Sequence, residues 1–461
     1  MRLTLRLLVV VLLTAAIAGS NLPPLRDFQG TYESENGQTL EIVAGRELFA
    51  VVDEAKYPLK RTGEDSFATI GDEPVAFVRD ASRQVKGYEY QHKLYLRISW
   101  HISAASEDLA YPRRGDSTYH YSIPAQLDDD IAVGDIANTP LGRTVANEIV
   151  AGILSEKWPD VHSVLLYQGG RLVLEEYFYG YTRERTHQLR SATKSIVSAL
   201  AGIAVSQGAL PSVNEPVLRH LAYASYADPD PRKAQITLGQ LLSMSSGFDC
   251  NDHSALSPGR ETLIDEQPDW VKATLDLPMI NDPGRAGYYC SGGVAVVGRV
   301  VENATHTYLP DFAQANLFNP LGIARTNWAW NYDLTNKDHE FSQIHLRPRD
   351  MLKLGILYAQ EGRWEGKQVI PADWVKASLS RQSTVDDTEY GYFWWHPWLM
   401  VNTGRGEQHV FLHAAQGNGG QKIYVVPELR LVAVFTAGAY NTDGSPPNKI
   451  MASVILPALL H

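Results

Sequence analysis

The pattern of apolar and polar positions changes character along the chain. From about residue 25 to residue 110, short apolar runs alternate with Gly, Asp and Asn, as at 40–43, 48–52 and 94–98. Apolar runs of this length between turn-forming residues predict β-strands. We therefore expect a small all-β domain over 25–110, a barrel or a sandwich. It contains no cluster of catalytic residue types, so we interpret it as a packing or positioning module.

A different pattern begins after a polar stretch over 111–140, which contains prolines and the acidic run 128–130 and predicts a linker. Apolar residues at 145–158 recur with helical spacing. Two strand-like runs, 161–167 and 171–177, then flank Gly169 and Gly170, which predicts a β-hairpin.

The remainder of the chain returns to strands only near its end. Residues 191–207 have a helical pattern with stop signals after it, and further helical patterns fill an insert over about 212–380. A second hairpin is predicted from 422–426 and 431–435, followed by a last helix over about 449–460. Two hairpins on either side of an insert can join one sheet. We predict an α/β (α+β) fold for a domain over 141–461, an antiparallel sheet flanked by helices with a helical insert.

The first eighteen residues have the order of a secretory signal peptide. Arg2 and Arg6 precede the apolar run 7–13, and small residues follow at Ala16 and Ala18. The run is shorter than the roughly 20 residues that a membrane-spanning helix needs. We expect cleavage after 1–18 and an exported protein, periplasmic or secreted, with an uncleaved anchor as the alternative.

Charge and cysteine content restrict the function classes. The formal net charge is −11, which gives no electrostatic basis for binding nucleic acid or anionic lipid. Only two cysteines occur, Cys250 and Cys290. Export permits a disulfide between them, but their distance does not follow from sequence, so free buried thiols remain an alternative.

Ser191 and Lys194 form an S-x-x-K motif at the start of the predicted helix. Residues three apart share one face of a helix, so the lysine can reach the serine hydroxyl. A serine becomes a good nucleophile when a neighbour takes its proton. Lysine can do so once burial and the positive end of the helix disfavour its charged form.

Two further motifs follow in order. Tyr289 and Ser291 lie two residues apart in a predicted loop. Gly417, Asn418 and Gly419 open the last hairpin, where glycines let a substrate approach the backbone and an edge-strand amide can complete an oxyanion hole.

With these three motifs in order, the chain from about 140 to 461 resembles the class C β-lactamase-like serine hydrolases of the penicillin-recognising fold. Within them it resembles the branch of 6-aminohexanoate-oligomer hydrolases and carboxylesterases, through the stretches 189–195, 241–247, 289–292, 349–355 and 391–395. The resemblance implies that Ser191 forms an acyl-enzyme, that Lys194 is the base and that Tyr289 passes the proton to the leaving group. The backbone amides of Ser191 and Asn418 would hold the oxyanion.

Two departures from the family pattern bear on the substrate. Ser291 replaces the Asn common in β-lactamases, and His413 is the nearest candidate where they carry Lys-Thr-Gly. Both departures are expected in the esterase and amidase branch. We predict a hydrolase of a small ester, amide or peptide-like substrate that needs no cofactor. The alternatives are a β-lactamase or D-amino-acid peptidase on cell-wall-like substrates, and a non-catalytic binding protein on the same fold.

Other candidate sites are weaker. Gly-x-Ser-x-Gly is absent, which disfavours an α/β-hydrolase. The segment 339–343 lacks the second His of a zinc motif, and we predict no metal. Trp394, Trp395 and Trp398 line a substrate cleft or belong to the core, and His187 and His413 are interpreted as structural or rim residues. The sequence gives no indication of oligomeric state.

Overall fold

A computed structural model describes residues 22–52, 54–114, 118–330, 343–442 and 444–460. The predicted signal peptide at 1–18 lies outside these residues, as do the first four residues of the 339–343 segment. The chain forms two compact units, which divide between Ser106 and Glu107.

The first unit is a closed barrel in which each antiparallel strand pairs with the next and the last pairs with the first. Its strands are β1 (Gly30–Ser34), β2 (Thr39–Ala44), β3 (Leu48–Val52), β4 (Ala55–Arg61), β5 (Ser66–Ala68), β6 (Pro74–Arg79), β7 (Val85–Tyr90) and β8 (Lys93–Ser99). Aromatic rings fill the interior, where Phe28, Phe67 and Phe77 contact one another. The predicted small all-β domain is confirmed, as a barrel.

The second unit is built on an eight-stranded antiparallel sheet in the order β10-β9-β23-β22-β21-β18-β17-β16. These strands are β9 (Val161–Gln168), β10 (Arg171–Tyr177), β16 (Ser383–Val385), β17 (Thr388–Tyr390), β18 (Trp395–His396), β21 (His413–Gly417), β22 (Gln421–Val426) and β23 (Leu431–Ala437). Because β9 pairs with β23, the two predicted hairpins join one sheet although about 250 residues separate them along the chain.

Other strands lie outside this sheet. They are β11 (His187–Gln188), β12 (Trp328–Trp330), β13 (Ile344–Leu346), β14 (Arg363–Trp364), β15 (Lys367–Gln368), β19 (Trp398–Asn402) and β20 (Glu407–Phe411). They form a three-stranded sheet, in the order β11-β13-β12, and two strand pairs, β14–β15 and β19–β20. The β19–β20 hairpin projects between β18 and β21.

The described α-helices cover the sheet and form the insert. They are α1 (Ala104–Asp108), α2 (Gly142–Leu154), α3 (Thr193–Ser206), α4 (Leu238–Leu242), α5 (Glu261–Ile264), α6 (Trp270–Leu275), α7 (Ser291–Thr305), α8 (Leu309–Ala313), α9 (Pro348–Ala359), α10 (Ala372–Ser378), α11 (Pro446–Ile450) and α12 (Leu456–Leu459). A turn of π-helix, Met451–Ile455, connects α11 to α12.

Alternation along β22 directs its side chains to the two helical layers. Gly355 of α9 lies so close to Ile423 that an added Cβ would be 2.8 Å from it. The next residue, Tyr424, points to the opposite face, where its hydroxyl bonds to Asn448 of α11. The sheet is therefore sandwiched between helices, as predicted.

The predicted linker over 111–140 packs onto the second unit. Val133 forms a bridge to strand β10, and Asp129 accepts a hydrogen bond of 2.7 Å from the buried Arg349. Arg349 also binds the buried Glu175 at 2.7 Å. Asp129, from the acidic run of the predicted linker, supplies charge that a buried guanidinium requires. This segment therefore belongs structurally to the second unit.

Within the described part of the chain, no helix combines the length and the apolarity that crossing a membrane requires.

Candidate active site

Ser191 lies in a tight 3-10 turn, Arg190–Ala192, that leads directly into α3, and Lys194 is in the first turn of that helix. The Nζ atom of Lys194 is 2.9 Å from Ser191 Oγ and 2.9 Å from Ser291 Oγ, hydrogen-bonded to both. Only 1% of the Lys194 surface is exposed. The structure therefore brings together the predicted nucleophile, the predicted base and Ser291.

The nucleophile turn is held in a conformation that few side chains adopt. Arg190 has a φ of +50°, in the left-handed region that costs free energy for any residue with a Cβ. Its guanidinium lies over the Tyr440 ring, 4.9 Å from the centroid. On the other side Gly417 fits against the carbonyl of Leu189, where an added Cβ would be only 2.1 Å from the oxygen. Both contacts fix the turn that presents Ser191.

Tyr289 completes the group. Its ring centroid is 4.8 Å from Lys194 Nζ. The ring packs between His253, parallel at a centroid distance of 5.0 Å, and Trp395 at 5.3 Å. These contacts leave 7% of Tyr289 exposed, so its position is set by packing on both faces.

Burial changes the proton affinities of both groups. Burial lowers the pKa of Lys194 from 10.5 to about 8, although the carboxylates of Glu261, Asp252 and Asp265 oppose this change. Burial also raises the pKa of Tyr289 well above that of an ordinary phenol. Near neutral pH the phenol is therefore uncharged and able to donate a proton. Lys194 is the group close to deprotonation.

Ser291 is anchored from the insert. Its amide donates a 2.9 Å hydrogen bond to Oδ2 of Asp252, a residue in the loop that follows Cys250. A disulfide joins Cys250 to Cys290, with Cα atoms 5.2 Å apart, so the predicted bridge is confirmed. Sequence reasoning missed Asp252. The two cysteines could have indicated it, because a bridge from Cys250 to Cys290 brings the residues after Cys250 beside Tyr289 and Ser291.

The glycine-rich segment lies next to the nucleophile turn. Strand β21 pairs with β18 only at Ala414, so its end at Gly417 is not covered by β18. Asn418 and Gly419 form the turn into β22, and the Asn418 side chain is bonded to Asn441 at 2.8 Å. A cavity of about 300 Å³ opens beside this turn. The role of the Asn418 amide in an oxyanion hole stays a prediction.

The two predicted structural histidines are both buried and paired. His413 lies 3.1 Å from His396 through their Nδ1 atoms, and burial lowers its pKa to about 4. His187 lies 2.9 Å from His162, and burial lowers its pKa to about 3. Both are therefore neutral at physiological pH, and His413 supplies no fixed positive charge.

Of Trp394, Trp395 and Trp398, one lies at the site. Trp395 packs on Tyr289. Trp394 is buried in the core against Tyr358, with ring centroids 4.5 Å apart. Trp398 is exposed on the β19–β20 hairpin. Among the residues that the structure describes, no group of three or more His, Cys, Asp or Glu side chains is arranged to hold a metal ion.

Comparison with known proteins shows what the chain is similar to. A family model described as beta-lactamase matches residues 159–456. The chain is 29% identical over 185 residues to lovastatin esterase of Penicillium rubens, covering 36% of this chain and 45% of that protein. It therefore spans less than half the length of that relative. It is 21% identical over 313 residues to 6-aminohexanoate-dimer hydrolase of Paenarthrobacter ureafaciens, covering 63% of this chain and 76% of that protein.

Solved structures show the same fold. The hydrolase EstCE1, described as having promiscuous acyltransferase activity, superposes with a TM-score of 0.56 at 15% identity, covering 68% of this chain and 98% of the other. A family VIII carboxylesterase superposes with a TM-score of 0.52 at 16% identity, covering 73% of this chain and all of the other, 100%. At these identities the likeness concerns the fold of the second unit.

Proposed function

Because the chain belongs to the beta-lactamase family of serine hydrolases, we propose that it cleaves a small ester or amide through an acyl-enzyme on Ser191. The observation that carries this proposal is the 2.9 Å contact between Ser191 Oγ and the buried Nζ of Lys194, beside the phenol of Tyr289. A nucleophile, a group poised to lose its charge and a neutral proton donor are the parts that acyl transfer requires.

Acylation begins with neutral Lys194. Its Nζ accepts the Ser191 hydroxyl proton as Oγ attacks the carbonyl carbon of the substrate. The carbonyl π electrons move to the oxygen, and we assign the resulting oxyanion to the backbone amides of Ser191 and Asn418. The positive end of α3 adds a favourable field at Ser191.

The tetrahedral intermediate then expels the leaving group. Tyr289 is neutral and its ring lies beside Lys194, so its phenol can give a proton to the departing oxygen or nitrogen. The phenol is restored by the proton that Lys194 holds, which returns Lys194 to its neutral form. The products are a free alcohol or amine and an ester of Ser191.

Deacylation repeats these steps with water as the nucleophile. Water gives its proton through the same Lys194 and Tyr289 pair and attacks the acyl carbon. The bond to Ser191 Oγ breaks, and the serine takes back a proton. The same groups act in both directions because the two half-reactions are chemically equivalent.

The charges around the site favour substrates without a carboxylate. His413, the nearest candidate for the lysine of Lys-Thr-Gly, is neutral, and the carboxylates of Glu261 and Asp252 act on Lys194 from the insert. An anionic drug carboxylate therefore lacks its usual partner. We propose esters and amides as substrates, in keeping with the names of the two curated relatives, and rank cephalosporins well below them.

Labelling tests the proposal. A fluorophosphonate probe should add to the peptide that contains Ser191, and Ser191→Ala should lose both the label and hydrolysis. Purified protein should turn over short acyl esters or linear amides and leave a chromogenic cephalosporin nearly intact. Hydrolysis that survives in Ser191→Ala would refute the assignment, and absence of any labelling or turnover would favour a non-catalytic binding protein.

We also propose that the protein is exported. The Cys250–Cys290 disulfide supports this proposal, because such bonds persist in oxidising compartments. Mass analysis of protein recovered from the exported fraction should give a mature chain that begins at Gly19. An N-terminus at Met1 in a membrane-bound fraction would instead support an uncleaved anchor.

A further inference from the structure

Asp252 is bonded to both halves of the segment that carries Tyr289 and Ser291. Its backbone amide donates a 2.8 Å hydrogen bond to the carbonyl of Tyr289. Its Oδ2 atom accepts the 2.9 Å bond from the Ser291 amide, and Oδ1 accepts a 2.8 Å bond from the amide of Glu261. Both carboxylate oxygens are therefore oriented by backbone groups, and the side chain has little freedom to turn.

This carboxylate reaches the proposed base through one residue, Ser291. Asp252 binds the Ser291 backbone amide at 2.9 Å, and the Ser291 hydroxyl lies 2.9 Å from Lys194 Nζ. Lys194 in turn contacts Ser191. Asp252 is thus connected to the proposed nucleophile through the amide and hydroxyl of Ser291 and through Lys194.

Two neighbouring features hold the loop that carries Asp252. The disulfide ties Cys250 to Cys290, immediately before Ser291. His253 lies flat on the Tyr289 ring and bonds to Asp386 at 2.5 Å, in the turn between β16 and β17. Residues 250–253 therefore contact Tyr289 through the backbone, through a side-chain ring and through the covalent bridge.

We propose that Asp252 is a positioning residue for the acyl-transfer reaction, holding Ser291 by its backbone amide so that its hydroxyl lies against Lys194, and placing a fixed negative charge near the lysine. This inference rests on the proposed function. Asp252 does not touch the substrate, and it acts through Ser291 and through its charge.

The groups that face Lys194 come from several elements. The turn before α3 supplies Ser191, the start of α7 supplies Ser291, and the loop before α7 supplies Tyr289. Three carboxylates act on its charge, those of Glu261, Asp252 and Asp265. Of these carboxylates, Asp252 is the one that binds the backbone amide of a residue contacting Lys194, namely Ser291. Its removal should therefore change both the geometry and the charge around the base.

Three variants separate these effects. Asp252→Asn removes the charge and nearly preserves the shape. Asp252→Glu keeps the charge but displaces the oxygens by one methylene. Asp249→Asn is the matched control, because Asp249 is on the same loop, its side chain bonds to Ser257, and its charge is not among those that act on Lys194. Single-turnover acylation is measured against pH for each, with thermal unfolding and fluorophosphonate labelling of Ser191 alongside.

For Asp252→Asn we expect the acid limb of the acylation profile to move to lower pH, because a lysine that loses a neighbouring negative charge loses its proton more readily. The maximal rate should fall at least about tenfold, because Ser291 is no longer held. Asp252→Glu should keep the acid limb of the profile near its wild-type pH but should have a lower maximal acylation rate. Asp249→Asn should match the wild type in the pH of the acid limb and in the maximal rate.

Other results overturn the inference. A folded Asp252→Asn protein with the wild-type limb and rate would show that the residue does not act on Lys194. Equal rate losses in both Asp252 variants, with lowered unfolding temperatures and no shift of the limb, would show a purely structural role. If Asp252→Asn does not fold, Asp252→Glu decides, since a wild-type rate there contradicts positioning. In each case fluorophosphonate labelling of Ser191 in the wild type tests the proposed function separately. Only a wild type that is not labelled would contradict both the proposed function and the role of Asp252.

Discussion

At the scale of single residues, the account depends on how burial acts on two neighbouring groups in opposite senses. It lowers the pKa of Lys194 to about 8 and raises that of Tyr289. Lysine is cationic when protonated and tyrosine anionic when deprotonated, so a low-dielectric site favours the neutral form of each. The pair is thereby prepared to accept one proton and to donate another without any stable charge.

Replacement of Tyr289 by Phe tests the donor role. Phe keeps the ring between His253 and Trp395 but removes the hydroxyl that gives the leaving group its proton. Hydrolysis of amides and alkyl esters should fall by about 10²–10⁴-fold. A nitrophenyl ester should lose much less, because its leaving group departs as an anion. The two substrates are compared in the same Tyr289→Phe preparation. Equal losses on both would contradict the assignment of Tyr289 as proton donor.

At the scale of elements, close backbone contacts position the site between two loops. The β21–β22 turn presses against the nucleophile turn at Gly417, and the loop after Cys250 is tied to the start of α7. Neither contact is local in sequence. We therefore expect the acylation rate to respond to an added methyl group at Gly417 and to removal of the sulfur bridge between Cys250 and Cys290.

Gly417→Ala should damage the site through sterics alone. Its Cβ would be 2.1 Å from the carbonyl oxygen of Leu189, so the two turns must separate. Overpacking of this kind costs about 1–3 kcal/mol of unfolding free energy, and the acylation rate should fall as Ser191 moves. Gly71→Ala is the control, since an added Cβ there would meet only Thr69 Oγ1 at 3.9 Å. Denaturant unfolding and acylation are measured for both, and wild-type behaviour of Gly417→Ala would disprove the close contact.

Loss of the disulfide should lower stability and activity together. For a loop with a sequence separation of 40 residues, the loop-entropy estimate is about 4 kcal/mol. The double variant Cys250→Ala, Cys290→Ala should therefore unfold at a lower temperature and acylate more slowly, because the loop carrying Asp252 loses its covalent anchor. Unfolding and acylation rates of the oxidised wild type provide the reference. An unchanged rate in the destabilised variant would show that the bridge does not position the site.

At the scale of the whole molecule, hydrophobic patterning predicted the main sheet. It did not predict features that depend on contacts between residues far apart in the sequence. The strands β9, β10, β22 and β23 alternate or cluster apolar residues, so both hairpins and their common sheet could be predicted. Strand β4 was missed because its sequence, 55–61, includes two lysines, an arginine and a proline. The packing of 111–140 was missed because the partner of Asp129 is Arg349, 220 residues further along. Motif order predicted the Ser191, Lys194 and Tyr289 group, whereas Asp252 carries no motif.

The net charge of the molecule predicts a substrate preference. The chain carries −11, and three carboxylates act on Lys194. A field of this sign disfavours the approach of anionic substrates. A neutral acyl ester should therefore have a higher kcat/KM than its analogue with a terminal carboxylate, and added salt should narrow the gap because it screens the field. A preference for the carboxylated ester, or a gap that does not respond to salt, would contradict this expectation.

The central claim is that Ser191 is acylated with neutral Lys194 as its base, and single-turnover acylation across pH tests it most directly. Lys194 is protonated below its pKa of about 8 and cannot then accept the serine proton, so the wild-type rate should rise with pH through about 8 and level off above it. Lys194→Ala should lower the plateau by about 10²–10⁴-fold. Lys194→Arg should be no faster, because a guanidinium stays charged and cannot act as base. A Lys194→Arg enzyme with a near-normal rate would contradict the account, since it would mean that Lys194 contributes only positive charge.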